Sequence, residues 1–151
     1  IPVVIIIGSG ILLQVKKEID WIQPQTIAGS VKNSPSIPFD RILTIAKTIP
    51  EAKIQSWKDI DRLDVRIQKG IVKVRSQNNW EVQIDTQTGE VLQTAYRRSD
   101  IIESIHDGSW FHDKVKLWIF LPTGIVLFIL WITGLYMLIL PYIVKWKRKL
   151  K

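Results

Sequence analysis

The side chains able to do chemistry are few. There are two histidines, His106 and His112, each followed by an aspartate, and no cysteine. Lack of cysteine removes disulfides, thiolate nucleophiles and Cys-ligated metals. A zinc hydrolase needs a ligand cluster such as His-Glu-x-x-His, which is absent, as are a glycine-rich phosphate loop and a nucleophile elbow. His106-Asp107 and His112-Asp113 read as hydrated polar pairs, with weak surface metal sites the alternative. Asp59, Asp61 and Asp64 interleave with Lys58, Arg62 and Arg66, which is the pattern of a solvated strand edge and not of an acid–base dyad. The residues therefore point away from an enzyme.

The elements that carry these residues are unevenly apolar. Residues 117–144 contain no charged side chain, and about 20 apolar residues suffice to cross the hydrocarbon layer. This is read as a transmembrane helix, kinked at Pro122, whose ring removes an internal hydrogen bond. The apolar start, IPVVIIIGSGILLQV, is too short to span by itself and is read as the end of a first transmembrane helix, with its exit, over residues 1–20. The tail Lys145, Lys147, Arg148, Lys149 and Lys151 is wholly basic. By the positive-inside rule it lies in the cytoplasm, which puts the middle of the chain in the periplasm of a bacterial inner membrane. The formal net charge of +7 is mostly this tail, so a nucleic-acid-binding face is not expected. The same charges make anionic membrane lipid a natural contact.

Between the apolar ends the chain alternates like a soluble domain. Residues 21–37 are rich in Pro, Gly, Ser and Asn and form a loop. Ser36 can cap a helix that carries Pro38 in its first turn, repeats Phe39, Ile42, Ile45, Ala46 and Ile49 on one face, and stops at Pro50. From Asp61 the period becomes two: Leu63-Val65-Ile67, Val72-Val74 and Trp80-Val82-Ile84 alternate with polar residues, and a fourth strand covers residues 90–94. An antiparallel meander with one buried and one wet face is expected, followed by a short helix over residues 99–106. Residues 107–116 are then interfacial, with Trp110 and Trp118 as outer anchors and Tyr142 and Trp146 as inner ones. Gly8, Gly10, Gly124 and Gly134 are small positions at which helices can pack closely.

This order resembles a PepSY domain. Ile45-Ala46-Lys47 matches the early helix, and VQIDTQTGEVL (residues 82–92) matches the closing strand-turn-strand, in which Asp85, Gly89 and Val91 carry the motif. Asp85 can accept turn N–H groups, and Gly89 can take the positive φ of a tight turn. Ile105-His106-Asp107-Gly108-Ser109-Trp110-Phe111, Thr133-Gly134-Leu135-Tyr136 and Gly8-Ser9-Gly10-Ile11-Leu12-Leu13 are similar to the PepSY-associated transmembrane family. The resemblance implies a PepSY-like periplasmic domain over residues 38–106 between two transmembrane helices, a membrane α plus small α+β architecture.

It also implies a mixed set of functions: a module that binds or inhibits a protease, or a haem-containing membrane reductase linked to iron uptake. Bis-histidine haem ligation needs two imidazoles on opposite sides of one iron. His106 and His112, six residues apart, would diverge by about 120° on one helix, and Asp107-Gly108 interrupts it. No cofactor is expected from this chain alone. The expected role is a protein-binding accessory subunit of a larger membrane assembly, electron-transferring or energy-converting, whose partner is another membrane or periplasmic protein.

Overall fold

A computed structural model of the chain describes residues 2–149, with side chains to Trp146. Of the basic tail, the side chains of Lys147, Arg148 and Lys149 and all of Lys151 lie outside the described residues, as does Ile1 of the first apolar segment. The chain divides into two compact units, residues 12–101 and residues 1–11 with 102–151.

The first unit is a small α+β domain. Helix α2 (Phe39–Lys47) precedes four antiparallel strands, β1 (Ile60–Arg66), β2 (Ile71–Ser76), β3 (Trp80–Asp85) and β4 (Val91–Tyr96), in the order β1-β2-β3-β4. Register places Leu63 opposite Val74 and Val74 opposite Val82, with Val65-Val72-Ile84 as the neighbouring row. Ile42 and Ala46 of α2 close over this face, and Ala52 and Ile54 complete the buried cluster. Ser36 does not cap α2: its N–H and hydroxyl both go to the carbonyl of Thr86, and Pro38 occupies the cap position. The helix ends at Lys47, and Pro50 opens a separate 3₁₀ turn, Pro50–Ala52. Asp59 closes a capping box with Ser56 and is solvent-facing, and Asp64 pairs with Arg66 at 2.9 Å with both side chains partly exposed.

One expectation fails over the centre of the sheet. The polar face there is not wet. Lys73, Glu81, Gln83 and Asp85 are all buried, because residues 22–30 and the start of helix α3 (Arg98–Asp107) cover the centre of that face. Ile22 is itself buried, and its carbonyl accepts the Ser99 N–H at 2.8 Å. The segment read as a connecting loop is the second layer of the domain.

The second unit is helical. The stretch Asp113–Trp146 is apolar enough to cross a membrane, with a mean hydropathy of 2.3 in its most apolar window and none of that window buried. It consists of α4 (Asp113–Val115), a π turn (Lys116–Phe120) and α5 (Leu121–Lys149). The helix continues through Pro122. The π turn before it, in which the Leu121 N–H reaches the Lys116 carbonyl, is the wider spacing in which a residue with no N–H is tolerated. Pro141 is also inside the helix.

Helix α1 (Pro2–Gln14) has 13 residues, about 20 Å at 1.5 Å per residue against the ~30 Å hydrocarbon core. Residues 15–22 are turns, interrupted at Ile19. Of the two transmembrane helices expected, the described residues contain one of spanning length.

Candidate functional site

The motif turn is built around Asp85. Its Oδ1 accepts the N–H groups of Gln87 at 2.7 Å and Thr88 at 3.0 Å, and its Oδ2 accepts the N–H of Ser30 at 2.5 Å. Burial pushes the carboxyl up, but the backbone donors of Ser30, Thr88 and Gln87 outweigh it and hold the pKa at about 2. Gly89 has φ +79°, and a Cβ there would stand 3.1 Å from Ile45 Cδ1. Val91 pairs with Ile84 and packs on the core. The turn therefore ties three segments together: the β3–β4 connection, the α2 core and the covering strip at Ser30.

The buried polar face is a charge network. Glu81 Oε1 accepts Lys73 Nζ at 2.8 Å, and its Oε2 accepts Arg97 Nη1 at 2.6 Å. Arg97 Nε also meets Asp100 at 3.2 Å, and Arg75 Nη1 meets Asp100 at 3.4 Å. Burial lowers the Lys73 pKa, partly offset by its bond to Glu81. For Arg97 burial also acts downward, but Asp100 and Glu81 outweigh it and raise the pKa. Gln83 serves the covering strip: its Oε1 accepts Ile27 N–H at 3.0 Å, and its Nε2 donates to the Gln25 carbonyl at 2.8 Å and to Gln93 at 2.9 Å. Sequence reasoning missed these residues. The available signal was that successive outward positions, Arg75, Lys73, Glu81 and Gln83, are mutually complementary.

In the helical unit the His-Asp-Gly phrase does three jobs. His106 Nδ1 lies 2.9 Å from Ser9 Oγ, and Ser9 also bonds the Ile5 carbonyl. Asp107 accepts Ser109 N–H at 2.9 Å and Lys116 Nζ at 2.6 Å. Gly108 has φ +81°, and a Cβ would fall 2.5 Å from the Phe120 ring, so any side chain there strains the backbone and displaces the ring. A groove of about 510 Å³ lies here, lined by Ile6, His106, Lys116, Phe120, Gly124 and Phe128.

His112 is elsewhere. It is exposed, and its Nδ1 accepts Lys114 N–H as the cap of α4. One imidazole reaches the groove and the other caps a helix, so the donor set of this chain does not fit a bis-histidine haem. Among the described residues no group of three His, Cys, Asp or Glu could hold a metal ion.

Trp110, Trp118, Tyr142 and Trp146 are all exposed. Trp110 stacks edge-on against Phe111, which in turn stacks on Phe120. Gly10 touches His106 at ordinary contact distance, whereas Gly8, Gly124 and Gly134 face open space.

No curated protein and no solved structure matches the chain. A family model described as the PepSY-associated TM region matches residues 1–150. With a spanning-length apolar helix and a helix-plus-meander domain in one polypeptide, this chain belongs to the PepSY-associated TM family.

Proposed function

We propose that this chain is a non-catalytic, membrane-anchored PepSY protein of the bacterial inner membrane, acting as a protein-binding accessory subunit of a larger membrane assembly. Its α+β domain faces the periplasm, its basic tail faces the cytoplasm, and a second crossing includes α1. The observation that carries this reading is the union of a 34-residue helical stretch whose most apolar window is unburied with a folded domain whose central polar side chains are paired internally. Glu81 is shared by Lys73 and Arg97, Asp85 holds three backbone donors, and His106 and His112 each hold one hydrogen bond. Such groups are positioned to stabilise rather than to react. Among the described residues the outer edges of β1 and β4 have no neighbouring strand, and an edge of that kind supports partner binding by strand addition.

The test is crosslinking in cells followed by purification in mild detergent. A stoichiometric protein partner is expected. Recovery of a monomer only, with the cellular phenotype of a deletion rescued by that monomer, would overturn the reading. The same preparation addresses the competing functions. A Soret band lost in His106→Ala would establish a haem-linked reductase component, and inhibition of a co-purifying peptidase would establish a protease modulator.

A further inference from the structure

The covering strip leaves part of the polar sheet face open on the β1 side, and the opening is cationic. A pocket of about 350 Å³ is lined there by Arg62, Arg66, Lys73, Arg75 and Arg97, with Asp64, Glu81 and the amide-bearing Gln23. Adding Asp100, which pairs with Arg75 and Arg97, five cations meet three carboxylates. The internal pairs are Lys73–Glu81, Arg97–Glu81, Arg97–Asp100, Arg75–Asp100 and Arg66–Asp64. Arg62 makes no ion pair among the described residues.

Register makes this imbalance sharper. Arg62 and Arg75 are direct cross-strand partners on the same face, an arrangement of like charges that destabilises a sheet unless something lies between them. Arg75 is half of this pair and is only partly exposed, so water screens it incompletely. Its pKa is lowered first by burial and then by Arg97, with Arg62 adding to the same effect and Asp100 opposing it. The floor of the pocket, Lys73 and Arg97, is buried. Planar arginine forks on adjacent strands are suited to a bidentate oxygen ligand.

We propose that this pocket binds an oxyanion, a carboxylate or phosphate group, held between Arg62 and Arg75 above the Lys73–Glu81–Arg97 floor. The site does not depend on the accessory-subunit reading, because the anion can be a free small molecule as well as an acidic side chain of a bound protein.

The experiment uses the full chain in nanodiscs of zwitterionic lipid. It is titrated in separate arms with inorganic phosphate, with succinate, and with an extended glutamate-containing peptide beside its glutamine counterpart. Binding is read by calorimetry and by the Nε–H resonances of Arg62 and Arg75. Saturable binding is expected in at least one anionic arm, weakened about tenfold by Arg62→Gln through loss of one charge-assisted contact. Arg62→Glu should abolish it, and Lys47→Gln, on α2 across the sheet, should leave it unchanged. Since Arg62 holds no ion pair, its variants test the site without opening the fold, which an unchanged Tm in the absence of anion would verify. Binding of phosphate or succinate identifies a free-anion site, and binding of the acidic peptide alone identifies a protein side chain as the source. Absence of saturable binding in every arm, or equal binding by wild type and Arg62→Gln, would overturn the proposal.

Discussion

Replacing Glu81 by alanine should be the most damaging single substitution in the α+β domain. The side chain is 2% exposed and accepts Lys73 Nζ at 2.8 Å, Arg97 Nη1 at 2.6 Å and Gln83 Nε2 at 3.0 Å. Arg97 keeps Asp100, but Lys73 Nζ loses its carboxylate partner, and the lysine is 3% exposed. Removing one partner of a buried ion pair costs about 3–5 kcal/mol, because the remaining charge is left desolvated and uncompensated. For a domain of this size each kcal/mol moves Tm by about 4–8 °C, so a fall of at least ~12 °C is expected.

The assay is thermal and urea unfolding of the full chain in detergent, followed by the near-ultraviolet signal of the Trp80–Tyr96 pair, whose rings lie 5.8 Å apart across β3 and β4. A second variant separates charge from packing. Lys73→Met with Glu81→Leu removes the Lys73–Glu81 pair while keeping volume and leaves Arg97 on Asp100, and should recover the part of the loss due to the stranded lysine, since apolar replacement of a buried pair is often neutral or stabilising. A cost below about 1 kcal/mol for Glu81→Ala would refute the reasoning, because it would place the pair in the range of exposed ion pairs.

Three further predictions rest on other contacts. Asp85→Asn should destabilise the domain near neutral pH by on the order of 2 kcal/mol, since the folded carboxyl titrates at about 2 against 3.8 unfolded. The depressed pKa makes this contribution fully present above about pH 4 and lost as pH falls toward 2, so wild type and variant stabilities should converge in acid unfolding curves. Gly108→Ala should cost about 1–3 kcal/mol, because it combines a φ of +81° with a Cβ 2.5 Å from the Phe120 ring. Hydrogen exchange should place that loss at residues 104–120. Thr86→Val should stabilise by about 1 kcal/mol in urea unfolding, because the buried Thr86 Oγ1 has no hydrogen-bond partner among the described residues and valine keeps its shape.

Helix and meander were legible because their periods are enforced by burial: Ile42 and Ala46 on one turn of α2, and Leu63, Val74 and Val82 in one cross-strand row. The Asp85–Gly89 spacing likewise names its turn, since the carboxylate and the positive φ are local requirements. What it does not announce is the Ser30 N–H on the second carboxylate oxygen, 55 residues away in the chain. Alternation has the same blind spot. It separates apolar from polar positions, but a polar position is equally compatible with water and with a satisfied interior.

What distinguishes the two outcomes is where the polar groups find partners, and here the cover decides. Residues 22–30 read as a loop from their Pro, Gly and Ser content, yet they lie on the sheet by using backbone groups: the Gln25 carbonyl and Ile27 N–H meet Gln83, and the Ser30 N–H meets Asp85. A strip bound through its backbone needs no apolar period, so no periodicity could reveal it. Where the strip and the start of α3 lie on the sheet, Lys73, Glu81, Gln83, Asp85 and Arg97 each have a partner named above. The surplus of arginine is confined to the β1 side, around Arg62 and Arg75, where that cover ends. A charge imbalance that begins where the internal partners stop is what an external counter-ion would complete, and this is why the oxyanion test belongs at Arg62 and not at the better-connected residues beneath it.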